Sequence, residues 1–225
     1  MTTTNGEQAA AHNTRPGFSG RIIRAGTEHV AEMVALHAEL FPDEAITRMG
    51  SSFLHAHHRY YATSSEGICF VAAEEDTGRV RGLVVGGKPE LRYSFIRSHA
   101  LRFALTLLWR ACVDRVVRHR VGVAIGRFVR KLYLGRKMDR SHEPCEPASG
   151  TWSSLLYICT NPDFCCRGVG TELLRAFHAA SARRGYDLMC ITVLSDNVPA
   201  ISLYRKTGWR EVSRTEELTY LERRV

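Results

Sequence analysis

The sequence has no run of eighteen apolar residues, no Cys-x-x-Cys pair and no internal repeat. The missing apolar run argues against a membrane-spanning helix. The missing cysteine pair argues against a zinc site, so no metal is expected. The seven cysteines are an odd, scattered set without the rhythm of a disulfide scaffold. They favour a reducing compartment, and a cytoplasmic location is expected.

The N-terminal stretch also lacks an apolar core. Residues 1–18 are mostly small and polar, unlike a secretory signal, and are predicted to be a disordered leader. The length of 225 residues suits one domain with an insertion. An apolar content of 44% and a charged content of 24% are typical of an ordinary globular protein.

The net charge of +8 is concentrated in one segment. Residues 92–140 contain 13 Lys and Arg and 2 acids, a local +11, so the remainder carries −3. The favoured interpretation is a helical cap whose apolar stripe of Leu105, Leu108, Trp109 and Cys112 packs on the core. The alternatives are peripheral contact with an anionic membrane and attraction of a phosphorylated or nucleotide-linked substrate. Nucleic acid is not expected, because no recognition motif accompanies the charge.

Hydrophobic periodicity predicts alternating strands and helices, which is typical of an α/β fold. The predicted strands are 21–24, 68–73, 80–85, 155–160, a strand ending near 193, 209–212 and 218–221. The predicted helices are one behind an N-cap at Thr27, then 45–61, 101–117, 170–184 and one carrying Asn197 to Tyr204. Residues 88–150 are too long for a structureless loop and are interpreted as a helical insertion.

A glycine-containing loop follows the strand that ends at Thr160. Residues 165–170 read Cys-Cys-Arg-Gly-Val-Gly and lead directly into a helix. The first amides of a helix are unsatisfied and lie at the positive end of its dipole, so such a loop favours phosphate oxygens. The alternative is a tight turn between strand and helix with no ligand. A second motif, Asn-x-x-Ala-x-x-x-Tyr, runs from Asn197 through Ala200 to Tyr204 and is followed by Gly208.

Together these motifs resemble the GCN5-related N-acetyltransferase (GNAT) superfamily. Its phosphate loop has the form Gln/Arg-x-x-Gly-x-Gly/Ala, and here Cys165 stands at the Gln/Arg position. The resemblance is specific over 155–209 and looser over 21–87. It implies a mixed, mostly antiparallel central sheet flanked by helices. Residues 19–225 would form a single acyltransferase domain with the basic helical insertion at about 88–150.

The resemblance implies an acetyl-CoA-dependent N-acetyltransferase that transfers acetyl directly to a primary amine of a small molecule. An amino sugar, free or nucleotide-linked, is the favoured acceptor, and a protein N-terminus and an antibiotic stay open. A polyamine is disfavoured because two cationic partners repel. Tyr204 is the implied general acid for the departing thiolate. The implied cofactor-binding residues are Ile158, Cys159 and Thr160 for the pantetheine arm, Cys165, Cys166, Arg167, Gly168, Val169, Gly170 and Thr171 for the diphosphate, and Asn197.

Several choices stay open. No acid lies on the strand 153–160, and the general base is not identified. The candidate bases, each expected to be an exposed surface group, are Glu39, Asp43, Glu74, Glu75, His55, His57 and His58. The acceptor site is expected to be lined by the Leu40–Pro42 break, the Phe53–Leu54 helix and the insertion. Cys165 and Cys166 are interpreted as structural rather than nucleophilic. The alternative function is a non-catalytic acyl-CoA-binding sensor or membrane-docking module.

Overall fold

The computed structural model describes residues 18–115, 118, 119, 122 and 151–225. The strands are β1 (Gly20–Arg24), β2 (Gly67–Glu74), β3 (Val80–Gly87), β4 (Trp152–Thr160), β5 (Leu188–Leu194), β6 (Arg210–Arg214) and β7 (Leu218–Arg224). The helices are α1 (Val30–Leu40), α2 (Ala45–Arg48), α3 (Ser51–Thr63), α4 (Glu90–Ser98), α5 (Ala100–Val113), α6 (Val169–Arg183) and α7 (Val198–Lys206). Short 3-10 turns cover Thr27–His29 and Pro162–Phe164.

In the described residues the strands form one sheet in the order β1-β2-β3-β4-β5-β7-β6. Every neighbouring pair is antiparallel except β4 and β5, which are parallel. This parallel pair needs a crossover, which α6 supplies. The predicted mixed, mostly antiparallel α/β fold is confirmed.

The sheet separates two apolar layers. On one face α1 and α3 bury Met33, Leu36 and Tyr61 over side chains of β2 and β3. On the other face α6 buries Leu173 and Phe177 beside side chains of α7 and β5. A helix that packs on a sheet needs an apolar stripe three to four residues apart, and these helices have it.

Two boundaries in the N-terminal half differ from the prediction. The predicted helix over 45–61 is two helices, because Gly50 adopts a φ of 101° that a helix cannot contain. The predicted N-cap at Thr27 is wrong, since Thr27 begins a 3-10 turn and α1 starts at Val30. The remaining predicted elements agree with the structure to within a few residues at their ends.

The insertion contains a helix that the periodicity did not predict, α4, which packs Phe95 against Phe53. The helix predicted over 101–117 is α5, which ends at Val113. Its C-terminal end is tied to α2, because Arg48 donates to Asp114 at 3.0 Å. None of the helices in the described part of the chain is long and apolar enough to cross a membrane.

Some predictions fall on residues that lie outside the described part of the chain. Of the predicted leader only Phe18 is described, and its ring packs edge-on to Phe164 with centroids 6.2 Å apart. Most of the insertion beyond Arg115 also lies outside the described residues. The prediction of one domain over residues 19–225 therefore stays a prediction.

Candidate active site

The parallel strands β4 and β5 are paired only at their beginnings. Their ladder joins Trp152–Ser154 to Leu188–Cys190 and then stops. Each strand keeps its other neighbour, since β4 stays on β3 as far as Thr160 and β5 stays on β7 as far as Leu194. The two strands therefore diverge. Beyond Ser154 the edge of β4 that faced β5 has main-chain groups that a ligand can pair.

A β-bulge lies in β4 where the strands separate. Val85 pairs with Tyr157 and Gly86 pairs with Leu155, so Leu156 is the extra residue. Leu156 and Tyr157 consequently both pack on the face of α1 and α3, whereas Leu155 packs on the face of α6. A bulge bends its strand and increases the local twist. This bulge thus accompanies the departure of β4 from β5.

The divergence opens a cleft of about 230 Å³ that reaches from the two strands to α4. Four aromatic side chains line it, and they are Tyr61, Tyr93, Trp152 and Tyr220. Phe41 and Phe53 do not line this cleft, although Tyr61 of the predicted Phe53–Leu54 helix does. Phe41 packs edge-on to the His37 ring, and Phe53 is buried against Phe95. The insertion does contribute, through α4.

The charge of the cleft is positive. Lys88 and Arg92 line it, and no Asp or Glu is among its described lining residues. Lys88 is neutralised by Glu66, with Nζ 3.1 Å from Oε1. Arg92 is exposed and forms no ion pair with the described residues. One positive charge is therefore available to an anionic group bound in the cleft.

The loop between β4 and α6 has the backbone of an anion site. Gly168 has a φ of 85° and Cys166 a φ of 63°, both in the left-handed region. Gly168 immediately precedes α6, and no side chain caps the helix. In the described residues no protein carbonyl accepts from the amides of Arg167 to Thr171. These donors are oriented together and unsatisfied, which is the arrangement that phosphate oxygens occupy at helix N-termini.

Arg167 adds a cation to this loop. Its guanidinium carbon lies 4.9 Å from the centroid of the Phe164 ring. Its Nε is buried and has no described hydrogen-bond partner. A buried donor without a partner costs stability unless a ligand or water satisfies it. The predicted role of Arg167 in binding a diphosphate stays a prediction that this geometry permits.

Gly170 has a packing role that the motif alone does not reveal. A Cβ at this position would lie 3.0 Å from Cδ2 of Leu203 and 3.9 Å from Oγ1 of Thr160. The missing side chain lets α7 approach the first turn of α6 and the end of β4. The phosphate loop and the helix of Tyr204 are therefore one packed unit.

Tyr204 lies in that unit with only 2% of its surface exposed. Its ring packs edge-on to Trp209, with centroids 5.6 Å apart. Burial raises the pKa of its phenol above the ordinary value. The phenol is therefore protonated at neutral pH, as a general acid must be. Its hydroxyl makes no hydrogen bond to any described protein group.

Asn197 is the N-cap of α7, and its side-chain oxygen accepts from the amide of Ala200 at 3.2 Å. This is the structural interpretation that the sequence left open beside cofactor contact. The side chain is exposed. Its amide nitrogen is not used by the cap, so the predicted contact with the cofactor remains open.

Sequence reasoning missed a cluster of buried histidines on the face of α1 and α3. His37 and His58 are 0% exposed and His57 is 7% exposed, so the expectation of exposed histidines on α3 is wrong for two of the three. Only His55 is exposed. The hydroxyl of Tyr157 lies 3.4 Å from Nδ1 of both His57 and His58. Burial lowers the pKa of His57 to about 3 and that of His58 to about 2.

Neither Tyr204 nor any of the candidate carboxylate bases is among the described residues that line the cleft. Glu74 is not a free surface acid, because it pairs with Arg81 at 2.8 Å, and hydrogen bonds from Thr77 and Arg81 lower its pKa. Asp43 pairs with Arg48. Glu39 and Glu75 are exposed, as expected. In the described residues no group of His, Cys, Asp or Glu could hold a metal ion.

The thiols of Cys165 and Cys166 are both exposed at the loop. The Cys165 sulfur lies 3.9 Å from the carbonyl oxygen of Asn161. No imidazole or carboxylate of the described residues is hydrogen-bonded to either thiol. A cysteine nucleophile needs an adjacent base or a strongly lowered pKa, so the geometry offers no support for a covalent role.

A negative charge introduced into the loop before α6 tests whether this loop binds a diphosphate. We expect Gly168→Asp to weaken acetyl-CoA binding at least about 10-fold, because its carboxylate would repel a diphosphate at the helix N-terminus. Gly78→Asp is the matched control. Gly78 has a φ of 67°, and a Cβ there or at Gly168 meets no atom within 4 Å. Calorimetric titration of both variants measures the difference, and equal affinities in two folded variants would contradict the assignment.

Part of the chain is similar in sequence to known proteins. A family profile described as FR47-like protein matches residues 146–218. The mycothiol acetyltransferase of Clavibacter sepedonicus is 34% identical over 64 residues, which cover 28% of this chain and 21% of that protein. The chain thus spans about a fifth of the length of the curated relatives it matches.

Solved structures extend the likeness to the whole fold. A ribosomal-protein-alanine N-acetyltransferase from Brucella melitensis has a TM-score of 0.55 and 13% identity, over 91% of this chain and 99% of that one. The PaiA N-acetyltransferase from Thermoplasma acidophilum in complex with coenzyme A has a TM-score of 0.54 and 9% identity, over 91% and 98%. These structures show that the described residues have the fold of these N-acetyltransferases, and the profile match adds a local sequence likeness over residues 146–218.

Proposed function

We propose that this protein is an acetyl-CoA-dependent N-acetyltransferase acting on a primary amine carried by an anionic small molecule. The observation that supports it most directly is the divergence of β4 and β5 beside an uncapped helix N-terminus. A strand edge for an extended arm and a set of amides for a diphosphate are the two surfaces an acyl-CoA needs. The mycothiol acetyltransferase relative and the coenzyme A complex of PaiA support the same class of reaction.

The proposed reaction is direct. The diphosphate binds the amides of Arg167 to Thr171, and the pantetheine arm pairs with the main chain of Ile158 to Thr160. The thioester carbonyl then lies between the diverging strands, where main-chain N–H groups of β4 stabilise the oxyanion. Binding both reactants in one cleft supplies much of the rate through proximity.

Bonds and protons balance without a metal or an acyl-enzyme. The amine attacks the thioester carbon in its neutral form, and the extra proton on its nitrogen passes to water as the amide forms. The carbon–sulfur bond breaks, and Tyr204 donates its phenolic proton to the sulfur. The phenolate then regains a proton from solvent. Water is the proton acceptor in this proposal because no carboxylate of the described residues lines the cleft.

The positive charge of Arg92 supports an anionic acceptor. This arginine lines the cleft, and no described acid neutralises it. A phosphate or carboxylate on the acceptor would pair with it, which favours an amino sugar phosphate or a nucleotide-linked amino sugar. A polyamine would be repelled by the same charge. The experiment is a coenzyme A release assay with a panel of anionic, neutral and cationic amines.

We expect Arg92→Ala to raise KM for the best anionic amine about 10-fold and to leave KM for acetyl-CoA unchanged. Arg97→Ala is the control, because Arg97 is an exposed cation on the same helix that does not line the cleft. Steady-state kinetics with each substrate varied separate the two constants. Equal effects of the two substitutions would show that only the general charge of α4 matters.

A second candidate is a sensor that binds acyl-CoA without turnover. Two observations favour it: the cleft has no described carboxylate or imidazole in its lining, and Cys165 replaces the family's Gln/Arg. A protein that binds acetyl-CoA in calorimetry yet releases no coenzyme A with any amine of the panel would support the sensor and contradict the enzyme.

A further inference from the structure

The largest concentration of exposed apolar side chains lies on α4 and α5. Ten large apolar residues are exposed in the described part of the chain, and six of them fall between residues 93 and 113. They are Tyr93 (73%), Leu101 (75%), Leu105 (59%), Leu108 (67%), Trp109 (58%) and Val113 (59%). The favoured prediction that the stripe of Leu105, Leu108 and Trp109 packs on the core is therefore wrong.

The helical spacing places most of these side chains on one side of α5. Leu101, Leu105 and Leu108 are three or four residues apart and so share a face, and Trp109 is adjacent to it. We name this set, with Val113, the α5 face. None of its residues lines the cleft. A single exposed apolar residue needs no explanation, but a contiguous stripe of this kind marks an interaction surface.

The chain segment that contains α5 is basic in sequence. Residues 92–140 carry a net +11 in the sequence. Exposed Arg97 and Arg115 are its described neighbours at either end of α5. Asp114, which directly follows α5, is paired with Arg48 at 3.0 Å. The described surface thus combines apolar side chains with the exposed cations Arg97 and Arg115.

We propose that the α5 face binds the surface of a membrane containing anionic lipids. A projecting apolar ridge with a tryptophan fits the boundary between headgroups and acyl chains, which needs no preformed groove. A protein partner would need a complementary apolar channel rimmed with acids. Each cation close to an anionic lipid surface adds to the attraction, so the charge of this segment has the sign that the proposal requires.

Contact between the α5 face and a membrane would also affect the cleft. Tyr93 both lines the cleft and is 73% exposed, and α4 leads directly into α5. Docking on lipid through α5 would therefore hold α4, with the cleft residue Tyr93, close to the membrane. An acceptor concentrated at that layer would reach the site without diffusing through solution.

The test is co-sedimentation of the full chain with vesicles of phosphatidylcholine, alone or mixed with phosphatidylserine. We expect the native protein to pellet with the mixed vesicles and to be released by high salt. Leu105→Ser combined with Leu108→Ser should weaken the binding about 10-fold, since two exposed apolar side chains are lost from the contact. Val212→Ser combined with Val225→Ser is the control, because these residues are exposed elsewhere (47% and 50%).

Three outcomes would overturn the proposal. One is recovery of the native protein in the supernatant with both vesicle types. Another is equal pelleting by the Leu105/Leu108 double variant and the control. The third is self-association in sedimentation velocity that depends on the same leucines without vesicle binding, which would show that a second copy covers the face. Circular dichroism of each variant checks that the fold is retained.

Discussion

Lowering the pH from 7 to 5 should reduce the free energy of unfolding by about 4 kcal/mol through His57 and His58 alone. Both imidazoles are buried in the folded state, with pKa values lowered to about 3 and about 2. In the unfolded chain each has a pKa of about 6.5. The unfolded state therefore binds protons in this interval that the folded state does not.

The sign follows from that difference. Above pH of about 6.5 both states leave these histidines neutral, and the contribution to stability is fully present. As the pH falls, stability is lost by about 1.4 kcal/mol per unit for each histidine, until the folded-state pKa is reached. Between pH 6.5 and 5 this amounts to about 2 kcal/mol for each. Urea unfolding followed at several pH values measures the slope.

The matched variants lie on the same helix. His57→Phe keeps a ring among its neighbours Tyr61 and Phe95, whose centroids lie 4.8 and 5.3 Å away, and should remove about half of the slope. His55→Gln removes an exposed imidazole and should leave the slope unchanged. An unfolding free energy that is flat between pH 7 and 5 in the native protein would show that the cluster is not buried in solution.

Replacing Tyr204 with Phe should reduce kcat for coenzyme A release about 100-fold, which is the usual contribution of a positioned general acid. The phenol is protonated at neutral pH because burial raises its pKa. The substitution removes only the hydroxyl, and the ring contact with Trp209 remains. Acetyl-CoA affinity should therefore change little, and the loss should appear in kcat.

Tyr186→Phe is the control for this substitution. Tyr186 lies between α6 and β5 and is partly buried, and the proposed reaction gives it no role. Its variant should retain the native rate. Stopped-flow detection of the released thiol, with calorimetry for acetyl-CoA binding, separates chemistry from affinity. A Tyr204→Phe enzyme with the native kcat would remove Tyr204 from the mechanism, although the fold and the cofactor site would be unaffected.

Local patterns accounted for the elements that carry the two motifs. The strand before Thr160, the turn at Gly168 and the helix behind it were predictable because glycine spacing and apolar periodicity act over a few residues. The histidine cluster was not predictable. His37 meets His58 and Tyr157 only after α1, α3 and β4 have packed together, and the composition of α3 alone suggests an exposed helix.

The residues that line the cleft were predictable only in part, for the same reason. Its cationic wall belongs to α4. This short helix lies in the long basic segment at about 88–150, where the periodicity predicted only the helix over 101–117. Phe41 and Phe53 carry an apolar signal that does not distinguish a core position from a pocket wall. Arg92 carries no signal of its own, since a lone arginine in a basic segment is usually a solvated surface charge.

The bulge at Leu156 determines on which face of the sheet each later side chain of β4 lies. Side chains of a strand alternate between faces, so one inserted residue reverses the alternation for everything that follows. Without it, Tyr157 would point away from the histidines and Ile158 would leave the layer of α6. Because of this single extra residue, β4 places the side chain of Ile158 in the layer of α6 and the hydroxyl of Tyr157 beside the histidines. Homologues of different length at this point would need a different set of buried neighbours.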